Sequence, residues 1–136
     1  MDFLFSFLYF MGIFRINMAK HKVIIQGPKV QDFIKNLGLL PRGRIQTFID
    51  SEMVRLADPK VPSDTTHTRK SVFINTIFGL GKIIYDIYYQ FMYQDTSRRY
   101  QDAPTRGAFW VHRMLNEGGR EKILLGVRRL LARGGR

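Results

Sequence analysis

The sequence predicts an α+β fold: a small antiparallel β-sheet built around a hairpin, packed with one long helix and with C-terminal helices. Three observations carry this prediction. Ile45, Phe48, Ile49, Met53 and Leu56 recur at three- and four-residue spacing between Arg44 and Ala57, which lines one face of an α-helix. Two runs rich in β-branched and aromatic residues, SVFINTIF (71–78) and KIIYDIYY (82–89), flank Gly79-Leu80-Gly81, a short glycine-containing link suited to a hairpin. Downstream, FWVHRMLNEGG (109–119) and REKILLGVRRLLARGGR (120–136) each show helical spacing, the first closed by Gly118-Gly119.

Taken in order, the chain opens with MDFLFSFLYFMGIF, apolar for about a dozen residues and too short for the roughly 20 residues that cross a bilayer. Asp2 stands where a secretory signal carries basic residues, and no small-residue cleavage site follows. Residues 1–17 are therefore read as an appendage to a single domain over 18–136. It is a membrane-surface anchor, a segment that docks on a partner, or an over-long start ahead of a true start at Met18. KHKVIIQG (20–27) predicts a short strand ended by Gly27-Pro28, and PKVQDFIKNLGL (28–39) a short helix with Pro28 in its first turn and Gly38 at its end. In the 44–57 helix, Arg44, Gln46, Asp50, Ser51 and Arg55 fall away from the apolar stripe, and Asp58-Pro59 stops it. In 82–89, Ile83, Tyr85, Ile87 and Tyr89 share one strand face, and Lys82, Ile84, Asp86 and Tyr88 the other. QDTSRRYQDAPTRGA (94–108) is polar and without periodicity, and reads as a long exposed loop of the kind that carries function.

At 136 residues the chain is one domain by size, and 45% hydrophobic content is enough for a packed core. The formal net charge is +11, a field that favours nucleic acid, an anionic membrane or an acidic protein partner without choosing among them. The absence of cysteine excludes disulfides, thiolate metal sites and cysteine nucleophiles, and fits folding in a reducing cytoplasm.

Catalytic constellations are not apparent. His21, His67 and His112 lie far apart, none with a ligand partner at metal-binding spacing, so no metal site is expected. The glycines of GLG and GPK precede no Lys-Ser/Thr and read as turns rather than phosphate loops, and Ser71 lacks the glycines of a nucleophile elbow. Asp58, Asp64, Asp86, Asp95 and Asp102 stand in turn-like or exposed contexts. No cofactor and no enzymatic activity are expected. In the last helix, arginines alternate with leucines; they form either a solvated basic face or an electrostatic contact with phosphate or an acidic neighbouring subunit. Tyr85, Tyr88, Tyr89 and Phe91 either stack bases or belong to the core.

DPKVPSDTTHTRKS (58–71) joins the first clear helix to the next apolar run through two prolines and several hydroxyl residues. The prolines stiffen an extended crossing whose backbone donors the hydroxyls can satisfy. The stretch also resembles a pattern of the minor capsid and head–tail connector (neck) proteins of tailed bacteriophages: Asp-Pro-x-Val-Pro, two residues, Thr-Gly-x-Leu, two residues, Ser. Asp58, Pro59, Val61, Pro62, Thr65 and Ser71 stand at matching positions. Tyr85 and Tyr89 resemble the tyrosines of the family's second hairpin strand, and Trp110 and Met114 its closing helix, so the likeness spans residues 44–117. Thr66 replaces the family's Gly, Thr68 its Leu and Tyr88 its Pro.

The resemblance implies a non-catalytic virion protein, made in the host cytoplasm and placed in the neck. It would form a homo-oligomeric ring between portal or adaptor and tail-side proteins, with genomic DNA passing the channel and contacted without specificity. The alternative is a small basic nucleic-acid-binding protein, and a membrane-active protein would rest on residues 1–14 alone. Loop 94–108 is the expected partner contact, through Arg98, Arg99, Tyr100 and Arg106. Trp110 is expected to anchor its helix against the hairpin.

Overall fold

The computed structural model describes residues 15–19, 21–26, 42–63 and 66–134. The helix expected over 28–39, Thr65 of the 58–71 motif and residues 1–14 lie outside that set. Two strands begin the described chain. β1 (Arg15–Ala19) pairs antiparallel with β2 (Lys22–Gln26), Ala19 opposite Lys22 and Arg15 opposite Gln26. β2 pairs antiparallel with β3 (Lys82–Asp86), so the sheet order is β1-β2-β3. On β2 and β3 one face is buried: Val23 stands opposite Tyr85 and Ile25 opposite Ile83, and all four are within 2% of complete burial. This is the alternation read from 82–89, and the fold is α+β.

Two expectations are corrected here. The sheet is built around a hairpin, but that hairpin is β1–β2, and β3 has no strand partner in 71–78. The boundary expected after residue 17 also falls inside a strand, because β1 contains Arg15, Ile16 and Asn17 as well as Met18. The compositional break at Met18 is not a structural one.

Helix α1 (Arg44–Ala57) has the expected bounds, and Ile45, Met53, Val54 and Ala57 are buried along its stripe. Gln46 and Asp50 are buried as well, contrary to their reading as outward residues. Asp50 Oδ2 accepts the backbone N–H groups of Gly79 (2.7 Å) and Gly81 (3.0 Å), and Gln46 Nε2 donates to Oδ1 (2.7 Å). A carboxylate in the interior is thus stabilised by three hydrogen bonds. After a 3-10 turn at Asp58–Lys60 the chain enters α2 (His67–Asn75).

α3 (Trp110–Met114) and α4 (Arg120–Gly134) follow the loops, separated by a π-type turn over Leu115–Gly119. Gly118 at φ +94° breaks the helical path there, a conformation that glycine adopts without a Cβ clash. Trp110 is fully buried, its ring edge-on to Tyr85 of β3 (5.5 Å) and Tyr93 (4.5 Å). α3 is therefore anchored against the sheet by the chain's single Trp.

Candidate functional site

The segment VFINTIF carries the features of a strand yet folds largely as helix α2, and the reason lies in what its two faces do. Thr68, Ser71 and Val72 are buried, and Asn75 is half-buried, a three- and four-residue spacing on the inner side of the helix. Two of these inner residues, Ser71 and Asn75, are polar and close the outer edge of β3. Ser71 Oγ accepts Asp86 N–H (2.8 Å), and Thr76, just past the helix, accepts Ile84 N–H at Oγ1 (3.0 Å). Asn75 Nδ2 donates to Asp86 Oδ2 (3.0 Å). Alternate backbone groups of β3 bond β2, and the outward N–H groups of Ile84 and Asp86 are capped by hydroxyls, which hinders strand addition at this edge.

The apolar side chains are consequently turned outward. Phe73 is 61% exposed, Ile74 83%, Ile77 63% and Leu80 47%. Phe78 packs beside Phe73 at 6.4 Å between ring centres. Exposed apolar side chains grouped along one short stretch in this way make it a candidate contact surface. Lys70 is exposed at its N-terminal end, while Arg69 is engaged in a bidentate pair with Asp58 (3.0 and 2.6 Å) that raises the Arg69 pKa.

The 58–71 motif is the scaffold that delivers α2. Val61 and Pro62 are buried, Pro59 is exposed, and Asp58 holds Arg69 across the crossing. Thr66 has φ +60° and ψ −5° at the start of α2, so the position where the resembled family carries Gly does adopt the left-handed region. Its N–H donates to Ser63 O (3.1 Å) and its carbonyl accepts Lys70 N–H (3.0 Å). Thr68, at the family's Leu position, is buried with its hydroxyl unpartnered, beside a pocket of about 60 Å³ bordered by Tyr88 and Tyr100.

Loop 94–108 is less free than its composition implies. Tyr100 is only 7% exposed and belongs to the core, and Tyr89, half-buried, donates its hydroxyl to Asp95 Oδ2 (2.7 Å). Burial first, then its bonds to Tyr100 and Asp95, raise the Tyr89 pKa, whereas bonds from Ser97 and Tyr89 hold Asp95 down to about 2. Arg106 turns inward and donates to the carbonyls of Asp58 (2.8 Å) and Val61 (2.7 Å). Arg113 likewise donates to Ala108 O (2.9 Å) and Thr105 O (3.0 Å). Arg98 lies over the rings of Tyr89 (5.7 Å) and Tyr100 (5.6 Å). Of the four expected partner contacts, Tyr100 and Arg106 are structural, Arg98 covers its own tyrosines, and Arg99 is exposed. Partly buried arginine donors pin the loop to neighbouring backbone.

A second surface lies between α1 and α4. Gly126 sits against Phe48, where an added Cβ would overlap the ring, so the two helices meet closely at this point. Beside that contact runs a groove bordered by Lys122, Arg129 and Arg133 of α4.

On α3, His112 Nδ1 and the Tyr93 hydroxyl share a hydrogen bond (2.7 Å), and burial lowers the His112 pKa to about 4. The imidazole is neutral at pH 7 and serves as hydrogen-bond partner to a buried tyrosine. Among the described residues no group of three His, Asp or Glu side chains is placed to hold a metal ion, and no helix is long and apolar enough to cross a membrane. Comparison with family models, with curated proteins and with solved structures returned no match.

Proposed function

We propose that this chain is a non-catalytic structural subunit that assembles with copies of itself into a ring in the neck of a tailed phage. The outward apolar surface of α2 and the turn that follows it is the observation that carries this reading. A chain of net charge +11 repels its own copies wherever basic surfaces approach. Phe73, Ile74, Ile77 and Leu80 provide a face with almost no charge, across which two copies can meet at least electrostatic cost. Because side chains of α2 and Thr76 occupy the β3 edge, assembly there proceeds through side-chain packing and not through strand addition.

The placement in a neck is supported by the resemblance of 58–71, and by the left-handed backbone at Thr66, where that family carries Gly. The net charge of +11 favours the second reading, a small nucleic-acid-binding protein. Deleting the gene from its phage and imaging the lysate separates them. The neck assignment expects filled heads and free tails that do not join. Complete infectious particles, or an absence of capsids, would reject it.

A further inference from the structure

We infer that the groove between α1 and α4 is a docking site for an acidic amphipathic helix of a different protein. Its floor is apolar, formed by Phe48 and Leu125, the latter 48% exposed. Its rim is cationic. Lys122, Arg129 and Arg133 follow one another at intervals of seven and four residues, so they form a stripe along one side of α4. Across the groove, Arg55 belongs to α1, and the only bordering carboxylate among the described residues, Glu52, is already bound by Arg55 through two hydrogen bonds of 2.7 Å. That bond lowers the Glu52 pKa, so Glu52 stays ionised and engaged near neutrality. Lys122, Arg129 and Arg133 pair with no carboxylate among the described residues.

The combination selects the occupant. The groove is open and has a volume of about 430 Å³, room for a row of side chains from one helix laid along it. A phosphate backbone would meet the cations but would leave Phe48 and Leu125 facing charge and water. A second copy of this chain would bring more positive charge to a positive rim. A helix with leucine-like residues on one stripe and carboxylates flanking it fills the floor and pairs the rim at once. This site is separate from the α2 face, so its failure leaves the proposed self-assembly untouched.

The test uses the full chain and a synthetic probe: a capped 14-residue peptide with leucines at i, i+3, i+4 and i+7 and glutamates on both flanks, titrated by fluorescence anisotropy. The controls are a scrambled peptide of the same composition and a duplex DNA of similar charge. The inference expects saturable binding that weakens about tenfold for the scrambled peptide. Raising salt from about 50 to about 300 mM should weaken it further, as for exposed charge pairs. Arg129→Glu combined with Arg133→Glu should abolish the salt dependence and weaken binding at least about tenfold. Leu125→Asn should weaken binding while preserving its salt dependence, and both variants should keep the wild-type circular dichroism. No saturation at about 1 mM peptide, equal affinity for the scrambled peptide, or tighter binding of the DNA would each overturn the inference. Unchanged affinity in well-folded variants would overturn it too.

Discussion

α2 and α4 both leave apolar side chains in contact with water, but they do so for opposite reasons. In α2 the inner side is occupied by Thr68, Ser71 and Asn75, of which Ser71 and Asn75 hydrogen-bond to the edge of β3, while Phe73 and Ile74, with Ile77 just past the helix, are turned outward. In α4 the inner side is apolar, with Ile123 buried and Val127 packed on the core, and Leu124 and Leu125 are exposed among cations. One helix presents a nearly neutral surface and the other a charged one. A neutral apolar face suits a second copy of a strongly basic chain, and a basic groove suits a partner of opposite charge.

The comparison rests on α2 being held by polar groups and α4 by packing, which can be broken separately. The largest effect is expected at Asp50, whose carboxylate fixes the turn after α2. Asp50→Ala leaves the N–H groups of Gly79 and Gly81 and the amide of Gln46 without their acceptor. It should cost about 4 kcal/mol, a large part of the stability of a small domain, read by urea denaturation. On the α4 side, Gly126→Val should cost about 2 kcal/mol by crowding Phe48. Adding Phe48→Ala should recover about 1 kcal/mol of that loss, the coupling expected of residues in direct contact.

Acid should act beneath both helices, through α3. His112 has a folded pKa of about 4 against an ordinary value of 6.5, so the unfolded chain binds the proton more readily. The stabilisation is fully present above pH about 6.5 and is lost as the pH falls toward about 4. Allowing for its partial exposure, the loss should be about 2 kcal/mol. His112→Asn, whose amide can donate to or accept from the Tyr93 hydroxyl, should flatten the melting temperature over that interval. The smallest effect is at the entry to α2. Thr66→Gly relieves a left-handed backbone and should stabilise the fold by about 1 kcal/mol. A loss of stability there would show that the Thr66 side chain contributes more than its backbone strain costs.

These contrasts also explain which parts of the fold were legible in the sequence. α1 follows the ordinary rule, with apolar residues inward at helical spacing, and its bounds are those read from Arg44 to Ala57. β3 alternates as a half-buried strand should, and Trp110 is the buried anchor its single occurrence implied. The run 71–78 misled because its apolar residues do not form the buried set. Its β-branched and aromatic composition reads as a strand, whereas the inner spacing of Thr68, Ser71, Val72 and Asn75 is helical and mostly polar. That spacing was the available signal. Loop 94–108 reads as exposed because it is polar and aperiodic, while Arg106 within it and Arg113 beyond it donate to backbone carbonyls. The buried roles of Asp50 and Gln46 depend on a turn some thirty residues away in sequence, which no local pattern reports.

The central claim is that the outer face of α2 joins copies of this chain. Its most direct test is sedimentation velocity of the full chain beside the double variant Ile74→Glu with Ile77→Glu, both residues being exposed and outside the core. The account predicts a discrete oligomer for the wild-type protein, and for the variant a monomer with an unchanged melting temperature. A monomeric wild type, or an oligomer that survives both substitutions, would contradict it.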